Sequence, residues 1–355
     1  MRSETGMFKK IILGLIIAPF IFTTAYAKER EGEITFKIKI TAPKESRDVR
    51  MWIPYPVSDD EQTIEDVRID GNFSYSGIYR QKRGGDLALY AEWSRPLKDR
   101  FLVFKFRAKA IERVKKDFPA TESEVPVEIK EYLKGSEFIP TDGKVKEVAL
   151  SIIKDKNGTL EKARAVYDWV VDNTFRDPNI NGCGTGDVER ILLEKGGKCA
   201  DISSIFVALA RASDVPAREV YGLRLGKKAE EDITGGHHCW SEFYLPDYGW
   251  VPVDPADVKK AMSTEKLDKN EIKRYRDYFF GAIDEYRIAL GRGGKGYHLS
   301  PSQKDKSLSY FMYPYAEIDG KGVEWLAAQK ELKYQISYYD NQQRVSHNDY
   351  NEGQK

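Results

Sequence analysis

The chain has 355 residues, with 57 Lys and Arg against 56 Asp and Glu, a formal net charge of +1. A balanced charge with 41% hydrophobic and 12% aromatic residues excludes a disordered polyelectrolyte and offers no electrostatic footprint for nucleic acid. The length accommodates two domains, or one large domain with an accessory layer.

In chain order, Lys9 and Lys10 precede an apolar run from Ile11 to Phe22 that ends on Ala25-Tyr26-Ala27, the layout of a cleaved secretory signal. The alternative, a membrane anchor, is disfavoured by the shortness of the run, and no cysteine follows it to carry a lipid. Residues 1–27 therefore read as a signal peptide and the mature chain as periplasmic or secreted, with no membrane span. Loss of Arg2, Lys9 and Lys10 against Glu4 leaves 54 basic and 55 acidic residues.

Residues 28–112 alternate apolar and polar positions, as in Ile34-Thr35-Phe36-Lys37-Ile38-Lys39-Ile40 and Phe101-Leu102-Val103-Phe104-Lys105-Phe106. With Pro54, Pro56, Gly71 and Gly84-Gly85 as punctuation, this predicts a small β-sandwich. It holds no cysteine or histidine and reads as a packing or substrate-positioning module. Residues 113–142, with Pro119, Pro126 and Pro140, read as a connector carrying one short helix near Val127 to Leu133.

The period then becomes helical. Val145, Val148, Ala149 and Ile152 share a face, as do Ala163, Val166, Tyr167 and Val170, and a third helix runs from Asp187 to Glu194. A fourth starts at Cys199 and buries Ile202, Ile205, Phe206 and Leu209 before Asp214-Val215-Pro216 stops it. Strands follow at Arg218 to Leu225, His238 to Leu245 and Trp250 to Asp254, giving an α+β class with helices ahead of an antiparallel sheet over residues 143–257. Residues 258–340 read as an extension packed on that core, helical around Asn270 to Tyr286. A surface loop at Gly291 to Gly294 follows, and a strand at Ser309 to Ile318 returns to the core sheet. Residues 341–355 read as a flexible polar tail.

The chemistry concentrates on three positions. Cys199 opens a helix after Gly196-Gly197-Lys198, where the macrodipole favours thiolate. His237 and His238 point to opposite sides of a strand, so one of them serves. Asp254 can meet His238 across a hairpin centred on Pro246, aided by a bulge if the loop length is even. Nucleophile, base and orienter are the residue types that thiol attack on a carbonyl requires. The plain alternative for Cys199 is a buried structural cysteine. His237, His238 and Cys239, with Cys183 recruited, invite a zinc reading, but adjacent residues chelate poorly and no paired ligand spacing is present. No metal or other cofactor is expected. Three cysteines in an exported chain leave one over; a Cys183–Cys239 disulfide with Cys199 free fits the count. Trp240, with His237 and Cys239, is a candidate wall of the cleft, and Trp250 a core aromatic.

The segments Gly-Lys-Cys199-Ala-Asp, Ala210-Arg211-Ala-Ser-Asp-Val-Pro216-Ala-Arg218, His238-Cys-Trp240-Ser-Glu-Phe-Tyr and Tyr-Gly249-Trp250-Val-Pro-Val-Asp254-Pro together resemble the transglutaminase-like superfamily, in its bacterial cysteine-peptidase branch. The resemblance runs from about Lys144 to Pro255 and selects His238, two residues before a tryptophan, over His237. It implies a papain-like core in which Cys199 attacks an amide or ester, His238 shuttles the proton and Asp254 orients it, through an acyl-enzyme. The substrate implied is a peptide, a protein or peptidoglycan-like material. The acceptor stays open: water gives hydrolysis, and a lysine amine gives cross-linking. The backbone N–H of Cys199 is the one assignable oxyanion donor. A non-catalytic envelope module binding a peptide or glycan is the rival from another class.

Overall fold

A computed structural model describes residues 27–340 except 83, 84, 121, 294, 297, 302 and 325–329; the expected signal segment and the tail at 341–355 lie outside the described residues, apart from Ala27. The longer elements in chain order are β1 (Glu29–Ile40), β2 (Val49–Tyr55), β3 (Gln62–Gly71), β4 (Tyr75–Arg80), β5 (Leu87–Trp93), β6 (Arg100–Ile111), α1 (Gly143–Ile152), α2 (Gly158–Asn173), α3 (Val188–Glu194), α4 (Cys199–Ala212), β7 (Ala217–Arg224), β8 (Glu230–Asp232), β9 (His237–Leu245), β10 (Gly249–Val253), α5 (Pro255–Thr264), α6 (Lys269–Tyr278), β11 (Arg287–Gly291), β12 (Tyr315–Ile318), β13 (Lys321–Glu324) and β14 (Leu332–Tyr339).

Alternation builds the sandwich as the sequence predicts. In β1, Ile34, Phe36, Ile38 and Ile40 are buried, and the first three pair with Phe106, Phe104 and Leu102 of antiparallel β6. One sheet runs β8-β14-β1-β6-β3 and the other β13-β12-β2-β5-β4. Four of these ten strands come from beyond residue 229. The segment 258–340 is thus shared between the two layers rather than packed on the core alone. The strand expected to return to the core sheet is Tyr315–Ile318, which pairs instead with Val49–Tyr55 of the sandwich. The reason is burial on both faces of the second sheet. Trp52, Ala88 and Tyr90 point away from the sandwich core, and Leu299, Leu308, Phe311 and Tyr315 cover them.

The second layer is a four-stranded antiparallel sheet in the order β10-β9-β7-β11, with the helices packed on it through α4. Nearly every residue of α4 is buried, the polar Asp201, Ser203 and Ser204 among them, so apolar residues extend well beyond the one stripe of a surface helix. Phe206, fully buried among the helices, is a position where truncation to alanine costs about 3–5 kcal/mol. The helix expected to reach Tyr286 ends at Tyr278, Ala282–Ile283 pairs instead with Arg113–Val114, and the fourth strand, Arg287–Gly291, follows. Its inward Ile288 and Leu290 join the sandwich core together with Leu223 and Leu225. The two layers therefore share one apolar seam. The expected surface loop after it is held down: Arg292 N–H donates to Asp86 at 2.7 Å and its guanidinium to Asp59 at 2.8 Å.

Candidate active site

Cys199 is the first residue of α4. Lys195, in the left-handed region with φ 63°, ends α3, and Gly196-Gly197 pairs in parallel with Phe175-Arg176, which delivers the chain to the helix start. Asp201, fully buried, reaches back to accept from the Lys198 N–H at 3.0 Å. The same carboxylate accepts from Gly186 N–H at 2.9 Å and Thr185 N–H at 3.2 Å, and pairs with Arg190 at 2.8 Å. One side chain thereby fixes both the nucleophile's helix and the loop carrying Cys183. At Gly184, with φ +91°, a Cβ would fall 1.9 Å from Asp201 Oδ2, so that loop requires glycine. Lys295, buried, donates to Ser204 Oγ at 2.6 Å and to Gly186 O at 3.0 Å, clamping the arrangement from outside.

His238 and Asp254 meet as expected, by a different hairpin. The pairing of Leu245 with Gly249 and of Ser241 with Val253 centres the turn on Asp247, whose φ is +62°, rather than on Pro246. Carried one residue past Val253, the register sets Asp254 beside Trp240, two residues from His238 and on the same face. No bulge is needed. His238 Nε2 lies 2.7 Å from Asp254 Oδ2, and Asp254 Oδ1 caps α5 by accepting from Asp257 N–H at 2.9 Å. Behind them Arg287, fully buried, pairs with Asp254, with Asp257 at 2.6 Å and with Asp284 at 2.7 Å. Arg224 holds the other oxygen of Asp257. Burial and Arg224 both push His238 down, yet Asp254 and Asp257 outweigh them and its pKa ends above the ordinary value of 6.5. With Nε2 occupied, Nδ1 is the ring nitrogen left for Cys199, and the two side chains are within hydrogen-bonding reach.

The sulfur sits in a cluster. The Sγ atoms of Cys183, Cys199 and Cys239 all lie within 4.8 Å of one another, and all three are free thiols, so the Cys183–Cys239 bridge that would fit the cysteine count is not formed. Cys199 alone of the three is half-exposed. Hydrogen bonding to Cys199 lowers the thiol of Cys183; the same contact raises Cys199, which stays above the ordinary thiol value although Cys239 and His238 both oppose the rise. Cys183 Sγ donates to His237 O at 3.3 Å, a bond only the protonated thiol can make. Against the raise that Cys183 imposes on Cys199, that bond, the helix terminus and the imidazole favour the charge of the cluster on Cys199. Three soft donors this close would also take a thiophilic metal such as zinc, at the expense of the nucleophile. The second close group, His238, Asp254 and Asp257, already has two guanidinium groups where a cation would sit.

The other cleft residues divide. His237 lines the cavity, a space of about 140 Å³ that Cys183, Cys199 and His238 also border. Its ring packs on Tyr313 at 4.5 Å and meets the Tyr334 hydroxyl at 3.2 Å, and burial holds its pKa down to about 3. Trp240 is not a cleft wall. It is fully buried in the helical core, stacked behind His238 at 6.3 Å, because residues 238 and 240 share the inward face of β9. Cys239 is likewise beneath the nucleophile, against Met312 at 3.5 Å, since the next residue of a strand faces the other way. Trp250 lies 3.8 Å under the Arg218 guanidinium. Sequence reading missed Asp257, Arg224, Arg287 and Asp201. Asp257 carried a signal, an acid three residues after a helix-capping aspartate; Arg287 carried none, being one cation among many in a charged stretch.

The comparisons agree with this architecture. Residues 146–255 match the model of the transglutaminase-like superfamily. An uncharacterized protein of Haemophilus influenzae is 32% identical over 331 residues, covering 85% of this chain and 89% of that protein. The chain belongs to the transglutaminase-like superfamily. A Bacillus subtilis protein, YebA, is 30% identical over 126 residues, 32% of this chain and 17% of its own length. Among solved structures, a candidate cysteine protease from Cytophaga hutchinsonii superposes with a TM-score of 0.53 at 14% identity, over 88% of this chain and 94% of that one. That is a likeness of fold: helices on an antiparallel sheet preceded by a β-rich layer.

Proposed function

We propose that this member of the superfamily is an exported thiol hydrolase that cuts amide bonds in peptides, isopeptides or peptidoglycan-type material. The observation that carries the reading is the orientation of His238. Asp254 engages Nε2, so Nδ1 is free to serve the sulfur of Cys199. In this scheme the Cys199 thiolate attacks the carbonyl carbon, and the developing oxyanion is received by the Cys199 N–H. That N–H sits at the first helical position, with no carbonyl four residues back inside the helix. His238 then gives its proton to the leaving amine, which departs from the acyl-enzyme. It next takes a proton from water as water attacks the thioester, and regenerates the thiolate. Asp254, fixed by Arg287 and by the helix N–H of Asp257, keeps the imidazole from rotating. No helix among the described residues is long and apolar enough to cross a membrane, and residues 1–27 are proposed as the export signal.

The test pairs chemistry with turnover. Alkylation of Cys199, read by mass spectrometry on the reduced protein, is expected to stay fast below neutral pH and to slow in His238→Ala. Peptide products formed in heavy-oxygen water should carry the label in one new carboxyl group, and Cys199→Ala should form none while keeping its fold, a loss of roughly 10⁴-fold or more. A Cys199 with the reactivity of an ordinary free thiol would overturn the reading, and incorporation of a labelled amine in place of water would move it to acyl transfer.

A further inference from the structure

The cavity at Cys199 is unevenly charged. Arg176, Lys198, Arg224 and Lys260 line it and Asp257 is the one carboxylate among its lining residues. Arg224 is matched by Asp257. Among the described residues, no ion pair is formed by Arg176, Lys198 or Lys260. Three elements converge to place them. Arg176 sits on the short strand paired with Gly197, Lys198 immediately precedes the nucleophile, and Lys260 lies one turn beyond Asp257 on α5. Elsewhere this surface pairs its charges freely, as Lys105 does with Glu33 and Lys109 with Glu29 on the sandwich. Unpaired cations gathered round a concave site with low-dielectric walls focus a positive potential into it, and the positive end of α4 adds to it.

We propose that the acyl donor carries a carboxylate close to the scissile amide, and that Arg176, Lys198 and Lys260 hold it. The proposal rests on the hydrolase reading and narrows it to acidic peptides, whether the carboxylate belongs to a side chain or to a chain end. A planar guanidinium fork matches carboxylate geometry in two bonds, and the two ammonium groups act as point charges around it. These three are specificity residues: they touch the substrate away from the reacting atoms. The chemistry at Cys199 is unchanged.

The test needs no known substrate. Iodoacetate and iodoacetamide alkylate the same sulfur and differ in one negative charge. On the full reduced chain, the iodoacetate-to-iodoacetamide rate ratio at Cys199 is expected to exceed that of glutathione by about tenfold, to shrink as salt is raised, and to fall in Arg176→Gln, Lys198→Gln and Lys260→Gln. A ratio equal to that of glutathione overturns the proposal even if Cys199 is highly reactive, which leaves the hydrolase reading standing. Should Cys199 react with neither reagent, the hydrolase reading fails, and binding decides the rest. Cys199→Ala titrated with three N-acetylated tripeptides, Ala-Glu-Ala amide, Ala-Gln-Ala with a free carboxyl end and Ala-Gln-Ala amide, should bind one or both of the carboxylate-bearing peptides more tightly than the uncharged amide, with the preference lost in Arg176→Gln; which of the two binds tells side chain from chain end. Equal binding of all three, or tighter binding of inorganic phosphate than of either acidic peptide, overturns the carboxylate assignment.

Discussion

The two histidines that open β9 are chain neighbours with opposite surroundings. His238 faces Asp254, Asp257, Arg224 and Arg287, and its proton affinity is raised. His237 faces Tyr313 and Tyr334, has an unpartnered buried Nδ1, and is held neutral by burial to about pH 3. A strand turns each successive side chain through half a revolution, so one residue of offset separates a charged network from a dry aromatic pocket. Residue type alone does not make a base; the face it occupies does.

The largest way to break the contrast is Asp254→Asn. It removes the acceptor that sets the ring orientation and is expected to lower turnover by roughly 10³–10⁴-fold. It also changes the pH response of stability. Because the folded pKa of His238 is raised above 6.5, its contribution to stability is fully present below about pH 6.5 and fades as pH rises through the folded value. Thermal unfolding across that range, carried out in a Cys199→Ala background, should lose this component in the Asn variant; an unchanged profile would place the source elsewhere.

Arg287→Met comes next. It strands the carboxylates of Asp254, Asp257 and Asp284 around one buried position, and losing the cation from such a network is expected to cost about 3–5 kcal/mol of stability. Urea titration reads this directly. A midpoint equal to that of the parent would mean the network is solvated in solution.

The smallest effect on turnover sharpens the other side. Since the folded pKa of His237 lies near 3, below the ordinary 6.5, the unfolded chain binds a proton that the folded chain refuses as pH falls from about 6.5. Stability should drop there by up to about 1.4 kcal/mol per pH unit. His237→Phe should flatten that acid limb while changing turnover only a few-fold; an acid limb as steep as the parent's would contradict the neutral assignment.

Much of this was legible in the sequence because it is local. Cys199 announces itself by two glycines and a helical period, and β1 and β6 by strict alternation. His238 and Asp254 are sixteen residues apart across one turn, close enough for spacing to place them on one face even with the turn centre misjudged by a residue. What was illegible depends on long range. Arg287 reaches Asp254 from a strand that pairs beyond two helices, and Tyr315–Ile318 was assigned to the wrong sheet because alternation says that a strand exists without naming its partner. Trp240 was misplaced for a related reason: its face was known, but the face that opens to the cleft is decided by what α4 covers.

The sheet order β8-β14-β1-β6-β3 has a consequence in time. β14, the last of these strands to be synthesised, lies between β8 and β1, pairing Phe36 with Ile336 across about three hundred residues of chain. A chain emerging amino end first therefore holds β1 with one edge unpaired until the nucleophile's helix and its sheet have been made. Contacts of such separation slow folding, and an open apolar edge invites mispairing in the interval. Arrival of β14 closes that edge of β1.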